Sequence, residues 1–292
     1  MDDSIQRPAS ILKKAFVLCY NSILKSELLT SLLRKTLYKH SLLRYIYNER
    51  LLKPSLPNED LVLSWDGQQI LIENPRENII SQALFLKGVW EPEVTEYICP
   101  TITSGMTVID VGADTGYYTL LFAKRVGTQG RIVAFEPIPS AREVLEYNIR
   151  LNAYINVTVC SFALFSTTRS VVLQAPRELS RIDPMKNSSD PSGIEIQTRV
   201  FDECVSELDI QKIDLVKVDV EGAELDVLFG MRDSLEEYHP ALLIEVHPNH
   251  IGDFGHTVED LLQFLEGMNY SLEPVDKGTL DFRSGNITIY CM

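Results

Sequence analysis

The residues best suited to chemistry are Asp110-Val111-Gly112-Ala113-Asp114-Thr115-Gly116, together with Glu136. The first set follows an apolar run, Thr107–Val111, and opens a helical pattern at Tyr117. Glycine in such a turn lets the backbone bend tightly and lets a ligand approach it. The helix beyond presents unpaired N–H groups. Glu136 and Pro137 follow a second apolar run, Arg131–Phe135, where a carboxylate can accept hydrogen bonds from both hydroxyls of a ribose. The pattern therefore points to a nucleoside, and charge chooses among nucleosides. A nicotinamide dinucleotide needs three glycines as G-x-G-x-x-G. Only Gly112 and Gly116 remain here, because position 114 is Asp, and Asp110 adds a second carboxylate that would repel a pyrophosphate. S-adenosylmethionine has no phosphate; its ammonium and cationic sulfur are attracted by acidic residues. Asp110, Gly112, Ala113, Asp114, Gly116, Glu136 and Pro137 are therefore predicted to bind that cofactor. The competing reading is a tight strand-to-helix turn that binds nothing.

A second group follows the apolar run Leu215–Val218: Asp219, Glu221 and Glu224, then Gly222 within the same turn. In an open α/β sheet, ligands lie outside the carboxyl ends of the strands. Transfer of a methyl group to oxygen needs the acceptor held near attack distance and its proton removed. Asp219, Glu221 and His247 are the predicted catalytic residues, with His247 drawn from a third run, Leu242–Val246, because imidazole titrates near neutral pH. Glu224 reads mainly as an acid at a helix start. Asp219, Glu245, His247 and His250 together could ligate a metal, but a buried histidine and a loop histidine explain the last two as well. The expectation is that no metal takes part and that transfer survives chelation. Ser161, Phe162 and Ala163, after Cys160, are predicted to lie along an adenine, with an ordinary strand end as the alternative. Trp90 and Glu91 could wall the pocket or simply pack.

Here a resemblance becomes specific. The stretch from Val108 to Tyr118, the triplet Phe135-Glu136-Pro137, and Lys217-Val218-Asp219-Val220-Glu221-Gly222-Ala223-Glu224 resemble the FkbM-type methyltransferase family, and Ile244-Glu245-Val246-His247 matches more weakly. The matches keep their order and spacing over roughly residues 85–250, and one departure is Asp114, where the family usually has Asn. The resemblance implies the class I methyltransferase fold and methyl transfer, usually to an oxygen of a small metabolite or sugar. The first 60 residues lie outside it. Two other classes compete: a nicotinamide-dependent oxidoreductase, against which the glycine spacing counts, and a non-catalytic binding protein on the same fold. Acids kept at 110, 136 and 219 argue against the latter.

The elements that must position these residues follow from the rhythm of the chain. Between Thr107 and Val246, β-branched runs (Thr107–Val111, Arg131–Phe135, Val157–Phe162, Leu215–Val218, Leu242–Val246) alternate with helical patterns at Tyr117–Arg125, Ala141–Leu151 and Ala223–Leu235. A further helix is expected over Val258–Met268, opened by a capping box of Thr257 and Asp260. Such alternation predicts a mostly parallel, doubly wound, Rossmann-like sheet, closed by an antiparallel pair at Ser271–Val275 and Asn286–Cys291. Ahead of it come a hairpin around Asp66-Gly67 and helices near Asn78–Lys87 and Pro92–Cys99. Residues 176–194, rich in Pro, Ser, Asn and Gly, read as a long exposed loop.

Residues 1–57 read as a basic helical segment with leucine stripes, and residues 58–292 as the methyltransferase domain, with a motif-bearing core over about 85–292. Charge divides in the same way. The chain of 292 residues has a formal net charge of −14, yet residues 1–53 carry +6 and the remainder −20. So acidic a body argues against nucleic acid as a partner. The expected partner is a small-molecule or glycan acceptor, with peripheral membrane contact or self-association through the basic helices also open. Five scattered cysteines without a Cys-x-x-Cys read as reduced thiols. No apolar run approaches the roughly 20 residues of a membrane span, and the N-terminus lacks a signal peptide's pattern. The expected location is cytoplasmic.

Overall fold

A computed structural model describes residues 53–173, 193–275, 282 and 285–292. The helices expected before Lys53 and nearly all of the loop expected over 176–194 lie outside these residues. The chain divides into two compact units. The first holds the described residues of 53–61 and 72–88, the second those of 62–71 and 89–292.

Strands β1 (Leu61–Trp65) and β2 (Gln68–Ile72) form a two-stranded hairpin. Its turn residues Asp66 and Gly67 both have positive φ (46° and 68°), the conformation that an Asp-Gly hairpin turn requires. In the first unit, helix α1 (Ile79–Lys87) starts on Asn78, whose side chain accepts from the Ser81 amide, and stops at Gly88 with φ 76°. In the second unit, α2 (Pro92–Ile98) begins with proline at its first turn, where no N–H is missed.

The second unit is built on a seven-stranded sheet. Its members are β3 (Thr107–Val111), β4 (Arg131–Phe135), β5 (Val157–Cys160), β9 (Leu215–Val218), β10 (Ala241–Val246), β11 (Leu272–Pro274) and β12 (Ile287–Cys291), in the order β11-β12-β10-β9-β3-β4-β5. Strands β3, β4, β5, β9 and β10 run parallel, and β12 runs antiparallel to both β10 and β11. This is the class I methyltransferase arrangement that the motifs imply. Its central strands β3 and β9 are buried along their whole length and mostly apolar, as in a sheet that helices such as α3 (Tyr117–Val126) and α4 (Pro139–Leu151) cover. The chain winds from β3 outward to β5, then returns to β9 on the other side of β3. The gap between β3 and β9 is thus a topological switch point, where ligands of such sheets bind.

Two expectations need correction. The run expected over Val157–Phe162 is a strand only through Cys160, because Ala163–Leu164 turn away to form β6 of a separate three-stranded sheet. There β8 (Ile194–Arg199) lies between β6 and β7 (Arg169–Leu173), and a short helix α5 (Phe201–Cys204) follows. The helix expected over Ala223–Leu235 is two helices, α6 (Glu224–Phe229) and α7 (Arg232–Tyr238), parted at Gly230. A Cβ at Gly230 would stand 2.3 Å from the Phe165 carbonyl oxygen, so only glycine fits at this junction. The last helix, α8 (Val258–Gly267), carries the expected capping box: Thr257 Oγ1 accepts from the Asp260 amide, and the Asp260 carboxylate accepts from the Thr257 amide.

Candidate active site

The turn after β3 is fixed from three sides. The amides of Gly112 and Ala113 both donate to the Phe135 carbonyl at the end of β4 (3.1 Å each). Gly112 has φ 79°, and a Cβ there would lie 1.9 Å from the Asp219 carbonyl oxygen, so only glycine lets β3 and β9 close together at their carboxyl ends. Gly116 has φ 97° and faces Leu145 of α4 at a comparable squeeze (2.6 Å). Asn148 of α4, fully buried, donates to the Thr115 carbonyl (2.9 Å) and accepts from the Leu71 amide (2.6 Å), tying the turn to β2.

Glu136 is the anchor of this corner. It is 4% exposed, and its two oxygens accept separately from the amides of Asp114 and Ile138, each at 2.8 Å. A carboxylate oxygen has two acceptor sites, so each oxygen keeps one for a ligand hydroxyl. Burial, then the neighbouring Asp114 charge, push the group up to about 7. Asp114 adopts φ 46° in the turn. Pro137 is half-buried, and its carbonyl accepts from Arg142 (3.0 Å).

Asp110 sits elsewhere than the sequence reading expects. It is fully buried beneath the turn, where Oδ2 accepts from Thr119 Oγ1 at 2.5 Å and Oδ1 lies 4.0 Å from Lys217 Nζ. Burial raises its pKa, against the pull of Lys217. Its contacts hold the turn from below. Lys217 is itself buried in β9, 3.2 Å from Asp219 Oδ2, with its ammonium 4.8 Å from the centre of the Tyr118 ring. Burial alone would lower the lysine's pKa, but Asp219 and Asp110 outweigh it and raise the group. Tyr118 OH in turn donates to Glu91 (2.7 Å).

The third group gathers at the ends of β9 and β10. His247 is 1% exposed, and its Nδ1 lies 2.7 Å from Oε1 of the fully buried Glu224. Its Nε2 faces three carboxylates: Glu221 Oε2 and Glu245 Oε1 at 3.6 Å, and Asp219 Oδ1 at 4.0 Å. Burial would lower the imidazole's pKa, but Glu224, then Asp219 and Glu245, drive it up to about 9. Burial, followed by the charges of Asp219 and Glu91, lifts Glu245 to about 8. His250 stacks parallel to His247 at 5.9 Å and places Nδ1 3.2 Å from Glu221. Glu221 occupies a left-handed position (φ 55°) in the turn, followed by Gly222 (φ 112°), where a Cβ would meet His250 at 2.7 Å. One ligand atom each from Asp219, Glu245 and His247 can fall within 4.8 Å of the others, a grouping able to hold a cation.

The structure thus draws Asp219, Glu221 and His247 together, and sets Gly112, Ala113, Asp114, Gly116, Glu136 and Pro137 around one turn. The adenine candidates are more dispersed. Ser161 is exposed, Ala163 begins β6, and Phe162 packs edge-on against Phe135 (5.5 Å) with the Arg199 guanidinium over its ring at 4.8 Å. Sequence reasoning gave no role to Lys217. A lysine inside a four-residue apolar strand was the available signal, since a buried charge requires a partner. It also read Glu224 as a helix cap. Glu224 does accept from the Gly222 amide (2.8 Å), but the same oxygen holds His247.

Comparison with known proteins identifies a family. Residues 110–272, more than half of the chain, match the family model of the methyltransferase FkbM domain. The AMB antimetabolite synthetase AmbE of Pseudomonas aeruginosa is 28% identical over 182 residues, 50% of this chain and 8% of that protein. The hexuronic acid methyltransferase AglP of Haloferax volcanii is 30% identical over 138 residues, 47% of this chain and 54% of that protein. The crystal structure of a methyltransferase FkbM from Methylobacillus flagellatus aligns over 86% of this chain and 60% of that one, at 17% identity and a TM-score of 0.48. The chain spans less than two thirds of the length of each.

Proposed function

The chain belongs to the methyltransferase FkbM domain family, and on that premise we propose that it transfers a methyl group from S-adenosylmethionine to a hydroxyl oxygen of a small metabolite or sugar. The observation that carries this reading is Glu136: a buried carboxylate at the carboxyl end of β4, oriented by two backbone amides beside the Gly112–Gly116 turn, with acceptor capacity left for a ribose. When bound, S-adenosylmethionine supplies an electrophilic methyl carbon on a cationic sulfur. Glu136 takes the ribose hydroxyls, the turn from Gly112 to Gly116 with Asp114 takes the amino-acid end, and Phe162 and Ser161 border the base. Asp110 and Lys217 keep the turn and Asp219 in place from below.

Asp219 receives the acceptor's hydroxyl at the switch point between β3 and β9. The hydroxyl proton would pass to a carboxylate after β9, Asp219 or Glu221, beside the raised imidazole of His247. A hydroxylated acceptor is in keeping with AglP, whose name gives it a hexuronic acid. We place the reaction in the cytoplasm, in keeping with the free thiols of Cys99, Cys160, Cys204 and Cys291. Among the described residues no helix is long and apolar enough to cross a membrane. Residues 58–292 form the proposed methyltransferase domain.

The test is incubation of the purified chain with donor labelled in its methyl group and a panel of hydroxylated acceptors, with NAD titrated in parallel. Base-stable label in a small product, without NAD binding, is expected. Saturable NAD binding with no affinity for the donor would favour the oxidoreductase reading instead.

A further inference from the structure

We propose that Asp219, Glu245 and His247 form a centre for one divalent cation, and that the acceptor's hydroxyl is engaged through it. The proposal rests on the methyl-transfer reading for its purpose and on geometry for its existence. It replaces the expectation that no metal takes part.

Three observations converge. First, the ligand atoms are spaced for an ion. His247 Nε2 lies 3.6 Å from Glu245 Oε1 and 4.0 Å from Asp219 Oδ1. A six-coordinate ion with bonds of about 2.1 Å separates adjacent ligands by about 3 Å and opposite ones by about 4.2 Å. The two separations from His247 lie between these values and all three ligand atoms lie within 4.8 Å of one another, so small side-chain adjustments would seat an ion. The separations are too long for Nε2 to be hydrogen-bonded to any of these carboxylates.

Second, His247 is prepared as a ligand. Its ring is buried, and Glu224, fully buried and reached by no solvent, holds Nδ1 at 2.7 Å. A histidine that donates its other N–H to a carboxylate is the usual arrangement around a bound metal, because the tautomer and the ring orientation are then fixed. Nε2 is left aimed at the carboxylates.

Third, each remaining ligand has its own support. Lys217 holds Asp219 through Oδ2 at 3.2 Å, which leaves Oδ1 turned toward the cluster. Asn286 donates to Glu245 Oε1 at 3.1 Å. A set of two carboxylate oxygens and one imidazole, with open positions for water or a hydroxyl, suits a first-row ion such as Mn²⁺ better than Mg²⁺, which avoids nitrogen. An acceptor oxygen bound to that ion becomes more acidic. Glu221, outside the ligand set but 3.6 Å from His247 Nε2, remains to take its proton.

The probe is Mn²⁺ itself, titrated into the chelator-stripped full chain by calorimetry and by loss of the free-ion paramagnetic signal. One ion per chain is expected, with at least tenfold weaker binding in Glu245→Gln. If that variant does not fold, selective broadening of the His247 ring resonances by Mn²⁺ in the unaltered chain serves instead. No saturable binding at millimolar Mn²⁺, binding indifferent to Glu245→Gln, or broadening that spares His247 would overturn the proposal. Each would leave a protonated imidazole as the counter-charge of the cluster. S-adenosylhomocysteine titrated into the same sample separates the two claims. Its binding without Mn²⁺ binding removes the cation centre alone, whereas its failure to bind removes the methyl-transfer reading.

Discussion

Glu136→Gln is the most informative single change, because the structure fixes both what is lost and how the loss depends on pH. The carboxylate accepts from the Asp114 and Ile138 amides with separate oxygens. An amide side chain has one acceptor and must turn its NH₂ toward the other backbone N–H. A buried donor is then left without a partner, at a cost of about 1–3 kcal/mol of stability. Burial and Asp114 hold the native group at about 7, against an ordinary value of 4.5. Because the folded pKa is the raised one, the folded state keeps its proton longer. Charging Glu136 opposes folding progressively from pH 4.5 to 7, by about 3 kcal/mol once complete. Ribose hydroxyls donating to the carboxylate favour its charged form. Binding of S-adenosylhomocysteine should therefore release protons near neutrality, and affinity should climb from pH 6 toward pH 8, about tenfold for each unit that the pKa falls on binding. Calorimetry in two buffers of different ionisation heat reads both quantities. In Glu136→Gln the proton release should vanish and affinity should drop by about 1.5–3 kcal/mol, as for a lost charged hydrogen bond. A folded variant with unchanged affinity and unchanged proton release would refute the assignment of Glu136 to the ribose.

Asp219→Asn should lower turnover by roughly 10²–10⁴-fold while donor affinity changes little; recovery of turnover at saturating donor would instead place Asp219 on the donor's ammonium. Gly112→Ala should destabilise the chain by several degrees in thermal unfolding and abolish donor binding, because its Cβ would meet the Asp219 carbonyl at 1.9 Å; a soluble variant that binds normally would show that β3 and β9 need not close so tightly. A chain beginning at Asn58 should keep donor affinity if residues 1–57 are a separate segment, and a folded truncation without affinity would show that they help build the site.

The central strands were legible because each is a short apolar run with a sharp end. Thr107–Val111, Arg131–Phe135 and Leu215–Val218 fall where the pattern places them, and the acids and glycines beyond them mark the carboxyl ends. The edges were less legible. Ala163 continues the apolar run of β5, and only its pairing with Thr198, far along the chain, reveals that it belongs to another sheet. At Gly230, where the two helices part, the backbone passes close to Phe165, a contact that no local periodicity encodes. In the site, residue types pointed to Asp219, Glu221 and His247, but not to their order of contact. That Asp110 turns inward to Thr119, and that Glu224 faces His247, are consequences of burial, which spacing alone does not determine.

The most direct test of the account is a crystal structure of the chain with S-adenosylhomocysteine. The ribose hydroxyls are expected on the Glu136 carboxylate, the amino-acid end along the Gly112–Gly116 turn, and the sulfur directed toward Asp219. A ligand seated elsewhere, or one whose ribose turns away from Glu136, would contradict it.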